Sequence, residues 1–360
     1  MLAPRPARPQ LNPAPPAVAR PRARRRSTTV MAIAGAAALL ASIVLGIVVG
    51  PADIGVGELA TILVDRVLGA NAESALRSSI VWDLRVPRVL TAAAVGAGLA
   101  LCGAVMQAVT RNPLADPYLL GLSAGASLGA VAVIVLGFAL VLPLAAFIGA
   151  LVALVATLMI ARRGGVVTPA RTVLAGVAVS ALFGSLTSFV IFWSATGDSY
   201  REILGWLLGT LGAATWHSVS IAGGAVIVIG GLLLGSGRLL DAFAFGDRSA
   251  AMLGVNVDRT RLALLVATAL LTGAMVAVSG SIGFVGLVLP HMVRLVAGAG
   301  HRVVLPLVAL WGATFLVLAD TLARTVFEPR ELPVGVITAL VGAPIFALLL
   351  SRRAQSKGRP

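Results

Sequence analysis

The residues able to do chemistry are few, and their spacing assembles no reaction centre. Lys357 is the only lysine. A phosphate-binding Walker loop needs a lysine to reach its nucleotide, so this chain does not hydrolyse ATP by that route. His217, His291 and His301 fall in three separate segments, none with the paired spacing of metal ligands. Cys102 is the single cysteine and lies in an apolar run, which excludes an internal disulfide or a thiolate cluster. Asp320 is the acid inside an apolar run, and Arg324 follows four positions later on the same helix face. That spacing predicts a local ion pair near a helix end. The competing reading is the mid-membrane carboxylate of an ion- or proton-driven carrier.

Backbone chemistry is the more informative signal. The run 279–286 holds Ser279, Gly280, Gly283 and Gly286 inside an apolar stretch. Irregular backbone at membrane depth is tolerated only where it is buried or lines a cavity, so these four residues read as pathway wall or gate hinge, with plain packing as the alternative. Gly121, Gly125 and Gly129, spaced by four, read as close helix packing.

The elements that carry these residues follow from composition. Hydrophobic residues make up 58% of the 360, charged residues only 12%, and the mean hydropathy is +0.99. Soluble domains carry about 25% charge, and no soluble fold of this length hides so much apolar surface. The chain reads as an all-α, multi-pass membrane protein in contact with lipid. A net charge of +14 would suggest nucleic acid in a soluble chain. Here its placement gives the topology instead, and no nucleic-acid partner is expected.

A crossing helix needs roughly 20 apolar residues. Runs 30–50, 89–110, 117–161, 172–197, 203–237, 262–298, 303–327 and 332–351 yield ten spans. The third run holds two, with a turn near 137–143, and the sixth holds two, broken at 279–284. The run 203–237 starts with a short interfacial piece before a span at 216–235. The Arg-rich ends place both termini in the cytoplasm, and an even number of spans fits that. Residues 1–29 are Pro-, Ala- and Arg-rich and read as a disordered basic tail. Residues 30–352 form one membrane domain, and 353–360 a C-terminal tail. The outer loop 51–88 carries a short surface helix near 57–68.

One cytoplasmic loop, 237–261, stands out. It contains Gly246, Asp247, Ala250, Met252, Leu253 and Gly254, a short amphipathic helix with a glycine positioned to end it. Its apolar residues want a partner surface, or else the loop folds back on its own membrane domain.

Several long motifs now resemble a known family. They are RVPRVL at 85–90, GAVMQ at 103–107, RNPLADPYLLG at 111–121 and GFVGLVLPHMVR at 283–294. ADTLAR at 319–324 and ELPVGVITALVGAP at 331–344 belong with them. Together they are similar to the iron-siderophore and cobalamin importer permeases, the membrane subunits of type II ABC importers, over roughly 30–352.

The resemblance implies a mechanism and a location in the bacterial cytoplasmic membrane. Two permease subunits, identical or similar, share a pathway on their common axis. Two cytoplasmic ATPase subunits dock below and use ATP and Mg, while this chain binds no cofactor or metal. An extracytoplasmic binding protein delivers the cargo, a ferric siderophore or else cobalamin or haem. The loop with Gly246, Asp247, Ala250, Leu253 and Gly254 matches the ATPase-coupling segment. Arg85, Arg88 and Arg324 match arginines that dock the binding protein, with internal pairing to Asp83 and Asp320 as the competing role. Asn112 and Leu114 match one cytoplasmic gate loop. On the second gate loop a hydroxyl pair of the family aligns with Pro169 and Ala170, leaving Thr168 just before it. A scaffold without transport has no supporting feature.

Overall fold

The computed structural model describes residues 21–357 apart from 51, 53, 69–74, 139–141, 163–167 and 195. Among these residues the regular structure is entirely helical. Helix α1 spans Pro21–Val48, and α2, Val56–Leu68, is the surface helix expected in the first loop. Helix α3 runs through Ala75–Thr110. Helices α4, Leu122–Val135, and α5, Leu142–Ala161, form a hairpin at the expected turn. Next come α6, Pro169–Ser194, α7, Gly197–Leu208, and α8, Trp216–Gly235. Short helices α9, Gly237–Ala244, and α10, Asp247–Met252, make up the loop singled out above. Helices α11, Val257–Ser279, α12, Val285–Ala297, α13, His301–Thr325, and α14, Val334–Lys357, complete the chain.

Among the described residues seven helices are long and apolar enough to cross a membrane, and three shorter apolar ones are Leu122–Val135, Val285–Ala297 and Val334–Leu349. Each expected span therefore has a helix in its place. The ends differ from expectation. Residues 21–29, assigned to a disordered tail, form the first turns of α1, because Pro21 suits a helix start and arginine is a good helix former. Residues 1–20 lie outside the described residues. Helix α14 continues past 352 to Lys357, so the expected C-terminal tail is helical as far as it is described. The interfacial piece before the sixth span is α7, an amphipathic helix with Ile203 and Trp206 buried and Tyr200, Leu204 and Leu208 exposed.

Helix α3 is the axis of the subunit, with Leu99, Leu101, Cys102 and Met106 fully enclosed. Pro87 has no N–H to donate, and the turn before it widens into a π-helical stretch, Ile80–Arg85. Small residues set the helix spacing. A Cβ on Gly103 would lie 1.9 Å from the Gly286 carbonyl oxygen of α12. Gly125 of α4 and Gly149 of α5 oppose each other in the same way, which supports the packing role read for the Gly121–Gly125–Gly129 spacing.

Candidate transport pathway and coupling surface

The break between α11 and α12 is a built junction. Gly280 sits at φ +67° and Phe284 at φ +68°, so the chain reverses through left-handed conformations on both sides of the gap. A side chain on Gly280 is blocked, since its Cβ would lie 2.2 Å from the Trp206 carbonyl oxygen. The backbone groups released by the break find partners. Thr210 N–H donates to Ser279 O at 2.9 Å, and the Tyr118 hydroxyl donates to Ile282 O at 3.0 Å. Ser123 and Ser281 hydroxyls pair at 2.7 Å, and Gln107 Nε2 donates to Gly286 O and Leu287 O. A non-helical stretch inside an apolar bundle needs this satisfaction, because water is not there to supply it.

Of the four expected wall residues, only Gly283 has accessible surface. Ser279, Gly280 and Gly286 are buried. The Ser279 hydroxyl donates to Met275 O and Gly280 O, and Gly286 packs on Gly103. Ser281, Gly283 and Phe284 are the residues the break leaves part-exposed.

The connection between α3 and α4 meets that junction. Arg111 ends α3 at φ +52°, and Asn112 Oδ1 accepts from the Leu114 N–H at 3.0 Å, leaving the Leu114 side chain exposed. Asp116 Oδ1 accepts from the Tyr118 N–H at 2.8 Å and starts the 3-10 turn Pro117–Leu120. Burial pushes the Asp116 carboxyl up to about 6. Thr168 lies just before α6, its carbonyl accepting from the Thr172 N–H and hydroxyl at the start of that helix. Tyr118 and Gln107 were missed by sequence reasoning. Both sat inside the quoted motifs, but nothing local marks a tyrosine or glutamine that pairs with backbone some 160 or more residues away.

The arginines at the other end of α3 face inward. Arg85 is buried and donates to the carbonyls of Ile47, Val48 and Ala52, closing the C-terminal end of α1. This is not the expected pairing with Asp83, whose carboxylate accepts from the Ser79 hydroxyl. Arg324, also buried, donates to Gly46 O and lies 4.0 Å from Asp320. The predicted Asp320–Arg324 contact is therefore present but secondary. Asp320 is held by Arg88, Nε to Oδ2 at 2.9 Å and Nη2 to Oδ1 at 3.0 Å. Arg88 Nη1 also donates to the half-exposed Glu331 at 2.8 Å.

The loop at the opposite end has the expected helix. Gly246 precedes it at φ +98° and Gly254 follows it at φ +82°, both conformations that favour glycine. Ala250 is fully buried and anchors α10. Phe245, Met252 and Leu253 are 78%, 82% and 71% exposed. Leu240, Phe243 and Ala250 pack back onto the bundle, while Phe245, Met252 and Leu253 turn away from it, so the loop does both: one face folds back and the other stays free.

Comparison with known proteins resolves the family. The FecCD transport family matches residues 38–352. The chain belongs to that family. It is 47% identical over 277 residues to the cobalamin import system permease protein BtuC of Halobacterium salinarum, covering 76% of this chain and 74% of that one. It is 44% identical over 287 residues to the hemin transport system permease protein HmuU of Yersinia pestis, covering 77% and 85%. It is 43% identical over 276 residues to the Fe(3+) dicitrate transport system permease protein FecD of Escherichia coli, covering 76% and 85%. A transporter assigned to the metal-chelate type of ABC transporters, solved inward-facing, superposes with a TM-score of 0.80 at 29% identity. That match covers 90% of this chain and 99% of the solved one. The FecCD member described here is thus a multi-pass ABC importer permease of the cytoplasmic membrane.

Proposed function

We propose that this subunit carries a metal chelate inward, driven by ATP hydrolysis in two partner ATPases that grip α10. The carrying observation is that Phe245, Met252 and Leu253 project from a loop whose Ala250 and glycine caps fix it to the bundle. Exposed apolar side chains on a rigid handle fit a protein partner. ATP and Mg are used by that partner, and this chain supplies no cofactor. A second permease, a copy or a relative, completes the pathway, with ten crossings and both termini cytoplasmic. Asn112, Leu114 and Thr168 gate its cytoplasmic side.

An extracytoplasmic binding protein docks at the Arg88 end. Glu331 is half-exposed there and Arg88, just beneath it, is 11% exposed, with Arg85 and Arg324 buried behind them as supports. Charge steering of this kind sets the on-rate and register of docking. The cargo is a ferric siderophore. Cobalamin is the second reading, favoured by the relative at 47% identity. A stand-alone carrier is disfavoured because Asp320, the acid in an apolar helix, is neutralised by Arg88.

Deleting residues 247–254 tests the reading. The ATPase is expected to stop co-purifying while the permease still folds and inserts. Intact complexes after the deletion contradict it. Competition between labelled cyanocobalamin and a panel of ferric siderophores in uptake by the complete complex separates the two cargoes.

A further inference from the structure

The coupling loop is tied by charge to the residue at which α3 ends. Asp247, the first residue of α10, has its Oδ1 2.7 Å from Arg261 Nη2 and 3.6 Å from Arg111 Nη2. The two contacts differ in kind. Arg261 is buried on α11, with its guanidinium 5.5 Å from the Phe243 ring centroid. Arg111 is 45% exposed, so its contact is screened and weak. The buried contact fixes where the Asp247 carboxylate stands, and the exposed one can open and close. Gly246 lies against the same guanidinium, since a Cβ there would be 3.4 Å from Arg111 Nη1.

Arg111 is a consequential place for such a tie. It is a non-glycine residue at φ +52°, the point where α3 gives way to the connection bearing Asn112 and Leu114. That connection carries Tyr118 to Ile282 at the broken helix junction. Along α3 in the other direction, Arg88 lies about 35 Å away at 1.5 Å per residue. One ion pair thus spans from the exposed handle to the segment that meets the interior break.

We propose that the Asp247–Arg111 pair passes movement of α10 to the α3–α4 connection, which makes Arg111 a positioning residue for ATP-driven gating. This rests on the reading of α10 as the ATPase handle. Displacing α10 moves a carboxylate held by Arg261, and Arg111, turning on its left-handed backbone, follows or is released.

The test uses the whole complex, permease with its ATPases, and needs no cargo. A spin label is placed at position 114 in a Cys102→Ser background, and its mobility is read with and without ATP plus vanadate. In Arg111→Gln, ATP hydrolysis is expected to stay within about twofold while the ATP-dependent change at the label falls about fivefold, the scale of an exposed ion pair. Arg111→Lys, which keeps the charge, is expected to restore most of that change; if Arg111→Gln fails to assemble, Lys against Met at this position makes the same comparison. A full label response in Arg111→Gln overturns the proposal. So does a response that falls only in proportion to the complex assembled. Failure of the handle reading shows itself separately, as an ATPase that still assembles when residues 247–254 are deleted.

Discussion

Arg88 and Asp320, 232 positions apart, form a two-point clamp between α3 and α13. Their side chains are 11% and 2% exposed, so the pair is held away from water. Removing one partner of a buried pair leaves the other charge uncompensated, at roughly 3–5 kcal/mol. Glu331 still faces Arg88 when Asp320 is removed, so Asp320→Ala is expected to lower thermal stability in detergent toward the lower end of that range, measured by melting of the purified subunit. Glu331→Gln touches the half-exposed partner of the same arginine and is expected to shift stability by less than about 1 kcal/mol. Replacing Arg88 and Asp320 together by Met and Leu is expected to recover much of the single-variant loss.

Glycine substitutions separate close packing from composition. Gly103→Ala forces a Cβ to 1.9 Å from the Gly286 carbonyl oxygen, and that carbonyl is fixed by Gln107. Folded yield is expected to collapse. Gly223, on α8, has open space around it. Gly223→Ala is expected to be neutral or to stabilise by about 0.5–1 kcal/mol, the helix preference of alanine over glycine. Fluorescence-detected size exclusion compares the two.

These contrasts show what the sequence disclosed and where it stopped. Hydropathy placed the helices, and the Ser279–Gly286 irregularity marked the break, because span length and glycine content are local properties. The Gly246–Gly254 helix was legible for the same reason. Which way Arg85, Arg88 and Arg324 point was not. Asp83 and Asp320 are near in sequence, but Arg85 turns to the carbonyls at the end of α1 and Arg88 takes Asp320 from another helix. Long-range pairing of this kind leaves no mark in spacing, and neither does the meeting of Tyr118 with Ile282.

Asp116 gives a pH dependence. Its carboxyl titrates at about 6 in the fold, raised by burial, and at about 4 in an unfolded chain. Between those values the folded state binds more protons, so stability falls as pH rises through the window. Asp116→Asn keeps an acceptor for the Tyr118 N–H and loses the titration. The melting temperature of the wild type is expected to drop relative to this variant from pH 4 to 6 and to run parallel above. A constant offset across the range speaks against a raised carboxyl.

The central claim is that this subunit has no motor of its own and takes its power through α10. Reconstituting the purified subunit alone into vesicles, with labelled ferric siderophore or cyanocobalamin outside and an imposed proton gradient, tests it most directly. No accumulation is expected from the subunit alone, and ATP-dependent accumulation once its ATPases and binding protein are added. Accumulation against a concentration gradient by the subunit alone contradicts the account.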